Sequence, residues 1–225
     1  MKSSTQFAAV CYVVLICAVA AVPACAETLY DNSTSTSYQS TGWGFQPPLE
    51  IADSFTLTAA SNLSQISFGN WIAAGDTLSS VDWAITTGAF SGSTLASGTA
   101  TTFSTTLENA SPSLDGWTVD SDLFSIPALS LSAGTYYLQL DNAVESADYS
   151  TFWDLSNGPS SGWGYNTAFP GAYSLSGAYG SGSQTFAIYG TSSAARTVTP
   201  EPSSFLLLGS GLAGLAGFIK RKMMA

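Results

Sequence analysis

The segment Leu129-Ser-Leu-Ser-Ala-Gly134-Thr-Tyr-Tyr-Leu-Gln-Leu140 decides the fold class of this chain. Apolar side chains occupy alternate positions on both sides of Gly134, at Leu129 and Leu131 before it and at Leu138 and Leu140 after it. A period of two places these side chains on one face of an extended backbone, and the Ser-Ala-Gly interruption favours a tight turn. The segment therefore predicts a half-buried strand, a turn at Gly134 and a second half-buried strand.

The same alternation recurs through residues 27–192, and clusters of Gly, Ser, Asn and Pro interrupt it. Many short strands separated by turn residues are typical of two packed antiparallel sheets. We therefore predict one all-β domain over 27–192, a single β-sandwich of jelly-roll type. Its predicted core positions are Ile51, Phe55, Leu57, Ile66, Phe68, Val81, Trp83, Ile85, Trp117, Val119, Tyr136, Leu138, Leu140, Phe186 and Ile188.

Charge and cysteine usage exclude several classes of function. The 225 residues include 15 acidic and 5 basic side chains and no histidine, for a net charge of −10, and residues 27–192 contain no Lys or Arg. Such a chain does not bind nucleic acid through its phosphates. The three cysteines all precede residue 26. Structural zinc, haem, iron–sulfur clusters and histidine-dependent triads therefore lack their ligands and bases, and no cofactor is predicted apart from a calcium ion.

Residues 1–26 have the pattern of an export signal. Lys2 precedes an apolar run over residues 7–22, and Ala24 and Ala26 stand at the −3 and −1 positions of a small-residue cleavage site. We predict cleavage after Ala26 by signal peptidase. Two alternatives remain open: an uncleaved membrane anchor, and a lipoprotein box acylated at Cys25.

The C-terminal residues form a second, tripartite signal. A tether over 193–204 contains Val198 and the triplet Pro200-Glu201-Pro202, an apolar segment covers 205–219, and the tail over 220–225 begins Lys220-Arg221-Lys222. Fifteen helical residues reach about 22 Å, less than the roughly 30 Å hydrocarbon core of a bilayer. We therefore expect the apolar segment to be retained in the membrane transiently rather than permanently. The basic tail is typical of a membrane segment whose C-terminal end stays in the cytoplasm. The alternative is a permanent C-terminal anchor.

This C-terminal arrangement resembles the PEP-CTERM sorting signal of Gram-negative bacteria. The resemblance implies export, transient retention in the inner membrane by a hydrophobic sorting helix, and cleavage near the triplet by an exosortase-like enzyme. It also implies delivery to the cell surface or extracellular matrix, usually in organisms that make exopolysaccharide and biofilm.

Residues 27–192 are similar to the exported ectodomains that often precede this signal, and the similarity implies a β-sandwich with no assigned activity. It rests on four short pieces of sequence: 29–32, 51–57, 133–136 and 186–190.

Asp53 is an acidic residue at a predicted core position. It shares a strand face with Ile51 and Phe55, and residues 27–192 offer no cation to pair with it. A buried carboxylate needs hydrogen-bond donors or a metal ion, and calcium takes six to eight oxygen ligands. We therefore consider a calcium site that includes Asp53, Asp141 and Glu145, with solvated turns as the alternative explanation for the loop carboxylates.

Two copies of a Gly-Trp-Gly motif lie about 120 residues apart, around Trp43 and Trp163. Flanking glycines on a loop would expose the indole ring, and a flat aromatic face can stack on a sugar ring. Both tryptophans are therefore predicted sugar-stacking residues on loops, with core-capping tryptophans as the alternative. The other tryptophans, Trp71, Trp83, Trp117 and Trp153, follow the strand pattern and are predicted to be core.

The sequence favours a non-enzymatic surface or exopolysaccharide-matrix protein. A carbohydrate-binding module that uses Trp43 and Trp163 is the alternative. A glycan hydrolase with two catalytic carboxylates is a third hypothesis, for which no motif identifies the pair.

Overall fold

The computed structural model describes residues 26–33, 42–109, 116–147, 150–169, 171–175 and 182–193, together with 210, 211 and 222. Within these residues the chain is built from strands. They are β1 Glu27–Asp31, β2 Gly42–Gly44, β3 Leu49–Leu57, β4 Ser61–Ala73, β5 Leu78–Thr86, β6 Thr94–Ala100, β7 Ser104–Asn109, β8 Trp117–Leu131, β9 Gly134–Glu145, β10 Phe152–Ser156, β11 Gly162–Asn166, β12 Ala172–Ser174, β13 Ser183–Gln184 and β14 Phe186–Ser192.

The strands form two antiparallel sheets. The six-stranded sheet has the order β12-β11-β3-β9-β5-β6. In the eight-stranded sheet, β4 pairs with β8 on one side and with β14 and β10 on the other. Strand β7 continues the sheet beyond β8, and β1 continues it beyond β14. Strands β2 and β13 pair with β10.

The turn predicted at Gly134 carries the chain from one sheet to the other. Strand β8 ends at Leu131 in the eight-stranded sheet, and β9 begins at Gly134 in the six-stranded sheet. The prediction of a strand, a turn and a second strand is confirmed. The two strands are nevertheless not hydrogen-bonded partners within one sheet.

One hydrophobic cluster joins the two sheets, as in a β-sandwich. Phe55 of β3 and Phe186 of β14 meet edge to face with ring centroids 6.4 Å apart. Phe68 of β4 contacts Phe45 in the same way at 5.9 Å. The predicted core positions are buried, except that Trp117 and Tyr136 are half-buried. The all-β prediction is therefore confirmed, and the jelly-roll subtype stays a prediction.

The predicted signal peptide and sorting segment lie outside the described residues, apart from Ala26 and residues 210, 211 and 222. Among the residues that the structure describes, no helix is long and apolar enough to cross a membrane.

Candidate functional site

The two Gly-Trp-Gly motifs lie on strands, so the prediction that they form loops is wrong. Trp43 is the central residue of β2, and Trp163 is the second residue of β11. The two strands belong to different sheets. In both motifs the first glycine serves close packing, because an added Cβ at Gly42 would come within 2.6 Å of Phe152 Cβ and one at Gly162 would overlap the carbonyl oxygen of Gly182.

Trp43 faces the interior of the molecule. It is paired in register with Trp153, which is fully buried, and opposite residues of an antiparallel pair point to the same side of the sheet. The indole of Trp43 accordingly packs against the hydrophobic cluster. Trp43 is thus a half-buried residue packed against the core on the inner side of its sheet, and sugar stacking by this ring stays a prediction.

Trp163 faces away from the interior. Its neighbours Gly162 and Gly164 are buried, whereas Trp163 and Tyr165 are half-buried, as expected when alternate side chains point out of the sheet. Trp163 pairs with Ala52 of β3. Its ring is thus placed on the outer face of the six-stranded sheet.

We predict stability effects of different size for the two tryptophans. Trp43→Ala should lower the free energy of unfolding by about 2 kcal/mol or more, because it leaves a cavity beside the core. Trp163→Ala should change it by less than about 1 kcal/mol, because the ring is on the surface. Urea unfolding of both variants measures the difference, and equal destabilisation would contradict the opposite orientations.

Polar side chains continue the outer face beside Trp163 and Tyr165. Strand register places Gln139 next to Ala52, and Glu50 next to Tyr165. The Phe90 ring, from the connection between β5 and β6, lies 5.4 Å from the Tyr165 ring. The rings of Trp163 and Tyr165 on β11 thus border a polar area that continues over the adjacent strands β3, β9 and β5.

A groove of about 340 Å³ lies on this face. Its polar lining includes the carboxylates Glu50, Asp82 and Asp141, the Gln139 amide, and the hydroxyl side chains of Ser97 and Thr99. Thr99 Oγ1 and Asn142 Nδ2 donate hydrogen bonds to Asp82, at 2.5 and 3.0 Å.

The groove brings three carboxylates close together, and residues 27–192 contain no Lys or Arg to neutralise them. Burial and then the neighbouring charges of Glu50 and Asp82 raise the pKa of Asp141 to about 6. Burial also raises the pKa of Glu50. Within the described residues neither carboxylate accepts a hydrogen bond, so both have oxygen lone pairs available to a ligand.

Asp53 is fully buried, as its position in the alternation predicts. Its Oδ2 accepts hydrogen bonds from the backbone N–H of Gln184 at 2.5 Å and from Ser160 Oγ at 2.9 Å, and its Oδ1 accepts one from Ser54 N–H at 2.6 Å. Burial nevertheless raises the pKa of Asp53 to about 7, since these bonds offset only part of the desolvation. Asp53 therefore ties β3 to the opposite sheet.

The three carboxylates considered for calcium occupy separate places. Asp53 points into the core opposite Leu138, whereas Asp141 is three residues further along β9, about 10 Å away, and belongs to the outer groove. Both oxygens of Glu145 accept hydrogen bonds from Gln46 Nε2, at 3.0 and 2.9 Å. Among the described residues, no three acidic, histidine or cysteine side chains are grouped to hold a metal ion.

Other buried carboxylates are also satisfied by neutral donors. Asp122 accepts hydrogen bonds from Thr105 Oγ1 at 2.6 Å and Asn70 Nδ2 at 3.1 Å. Asp154 accepts them from Thr185 Oγ1 at 2.9 Å and from Trp71 Nε1. Hydroxyl, amide and indole groups thus replace the Lys and Arg that this part of the sequence lacks.

Sequence reasoning missed most of the groove. Glu50, Asp82 and Gln139 were not singled out, and Asp141 was considered only as a calcium ligand. Each of them neighbours a buried apolar residue in an alternating strand, so their outward direction could have been inferred from the sequence. The pairing of β11, β3, β9 and β5, which brings them together, could not.

Comparison with protein families identifies the C-terminal signal. Residues 198–222 match the family described as the PEP-CTERM protein-sorting motif, a range that includes Val198, the Pro200-Glu201-Pro202 triplet and the Lys220-Arg221-Lys222 cluster. The predicted resemblance of the tail is therefore confirmed. No curated protein matches the chain.

Proposed function

We propose that this chain, which carries a PEP-CTERM sorting motif over residues 198–222, is a non-enzymatic protein of the bacterial surface or exopolysaccharide matrix. The motif indicates an exported protein that is processed by an exosortase-like enzyme. We further propose that the β-domain is delivered to the outside of a Gram-negative cell after transient retention in the inner membrane. The sorting motif is the observation that carries the proposal.

The composition of the domain supports a role without catalysis. Residues 27–192 contain no His, Lys, Arg or Cys, so a serine or threonine hydroxyl has no nitrogen base to activate it. A surface rich in Ser and Thr also suits a hydrated polysaccharide environment.

Mass spectrometry of the protein recovered from the medium and matrix tests the sorting proposal. We expect a species that begins at Glu27 and ends near the Pro200-Glu201-Pro202 triplet. Recovery of a released species that still ends in residues 220–225 would contradict it. A species that begins at Cys25 with a lipid attached would instead support the lipoprotein alternative.

Glycan hydrolysis is the alternative that the groove itself raises. Glu50, Asp82 and Asp141 are neighbouring carboxylates with different environments, and glycosidases use such pairs. Reducing-end assays with neutral and acidic polysaccharides test this alternative. Turnover that is abolished by Asp141→Asn would replace the non-enzymatic proposal.

A further inference from the structure

We propose that the outer face of the six-stranded sheet binds an uncharged polysaccharide, with Trp163 as the stacking platform and the adjacent groove as the hydroxyl-binding surface. This inference rests on the proposed export of the domain and adds a partner to it.

The aromatic side chain carries the argument. Trp163 lies on a strand rather than on a loop, and its backbone is fixed by pairing with β3 on one side and β12 on the other. A backbone fixed in this way needs no further ordering when a flat ligand stacks on the ring, which lowers the entropic cost of binding. Tyr165, two residues later on the same face, is held against Phe90 and extends the aromatic border.

The groove supplies the polar contacts that stacking alone lacks. Gln139 is separated from Trp163 by the single residue Ala52 across the sheet, which places the amide two strand spacings away, about 10 Å. The carboxylate of Glu50, on β3 beside Tyr165, and that of Asp141, on β9, have oxygens that can accept hydrogen bonds from sugar hydroxyls. Charged acceptors form the stronger hydrogen bonds.

Charge selects the class of polysaccharide. The groove contains three carboxylates, and residues 27–192 provide no Lys or Arg to receive a uronate or sulfate group. An anionic polymer would place like charges together in a partly desolvated groove. A neutral polymer would instead form hydrogen bonds with the carboxylates, the Gln139 amide and the hydroxyl side chains of the groove, without charge repulsion.

A second groove in the described part of the chain lacks the aromatic side chain that sugar stacking needs. It has a volume of about 360 Å³ and is lined by residues 60–62, 130–132 and 191–193, which include no aromatic and no acidic side chain. Trp117 contacts Phe152 with centroids 5.5 Å apart, in the eight-stranded sheet, and therefore makes a matched surface control.

Affinity electrophoresis of the full-length chain in mild detergent provides the test, with dextran, galactomannan and glucomannan as neutral probes and polygalacturonate with EDTA as the anionic probe. We expect retardation by at least one neutral polymer and none by polygalacturonate. Trp163→Ala and Asp141→Asn should each weaken that binding about tenfold, on the scale of one lost aromatic stack or one lost charged hydrogen bond. Trp117→Ala should leave it unchanged.

Several outcomes would overturn this inference. They are no retardation by any neutral probe, stronger binding to polygalacturonate, and equal losses in Trp163→Ala and Trp117→Ala. If Trp163→Ala does not fold, Trp163→Phe and Asp141→Asn still test the same face. Cell fractionation separates the inference from the sorting proposal, because Trp163→Ala should still be released from the membrane but should shift from the matrix into the medium.

Discussion

Replacement of Pro200, Glu201 and Pro202 by alanine is expected to trap the chain in the inner membrane. The triplet lies in the matched sorting motif, between the β-domain and the apolar segment over 205–219. If an exosortase-like enzyme cleaves near the triplet, loss of its recognition residues leaves the apolar segment attached. Membrane fractionation followed by immunoblotting should show full-length protein in the inner-membrane fraction and nearly none outside the cell.

Two further variants distinguish a loss of sorting from a loss of export or of folding. Alanine at Ser203 and Ser204, which adjoin the triplet, should leave release normal. Replacement of Lys220, Arg221 and Lys222 by glutamine should weaken retention without removing the triplet, because basic residues hold the cytoplasmic end of such a segment. The sorting proposal would fail if the triple-alanine variant reached the medium at normal size and amount.

Local sequence pattern predicted the strands and the core, because a period of two is a property of the backbone itself. Asp53 shows how far such reasoning extends: its place in the alternation predicted burial, and burial predicted neutral donors or a metal ion. The donors proved to be Ser160 and the Gln184 backbone, which lie more than 100 residues away in the chain. No local pattern indicates them.

The Gly-Trp-Gly motifs mark the limit of local reasoning. Glycine on both sides of a tryptophan indicates a flexible loop when the surroundings are unknown. In the folded chain the first glycine of each motif, Gly42 or Gly162, is instead a position where Phe152 or Gly182 leaves no room for a Cβ. The same motif therefore points its tryptophan inward in β2 and outward in β11, and only the pairing of each strand decides the direction.

Moderate acidification is expected to stabilise the β-domain, with Asp53 and Asp141 among the groups that contribute. In the described part of the chain, burial raises the pKa of five acids, which are Glu50, Asp53, Asp120, Asp122 and Asp141. A raised folded pKa means that the folded state binds more protons than the unfolded one, so stability is gained as the pH falls through that pKa and lost as the pH rises through it. For Asp53 the window runs from about 7 down to its ordinary value of 3.8.

The expected gain for Asp53 between pH 8 and pH 5 is about 3 kcal/mol, or roughly 5–10 °C in Tm for a domain of this size. Thermal melts of residues 27–193 over this range measure it. Asp53→Asn cannot ionise, so it should lower the slope of Tm against pH and leave the part that Asp141 contributes. Its Tm should lie below that of the wild type at pH 5, because the amide NH2 replaces an oxygen that accepts a backbone N–H bond. Glu108→Gln, a change at an exposed position, should keep the wild-type slope. A Tm that falls on acidification, or a slope in Asp53→Asn equal to that of the wild type, would show that buried Asp53 does not couple protonation to folding.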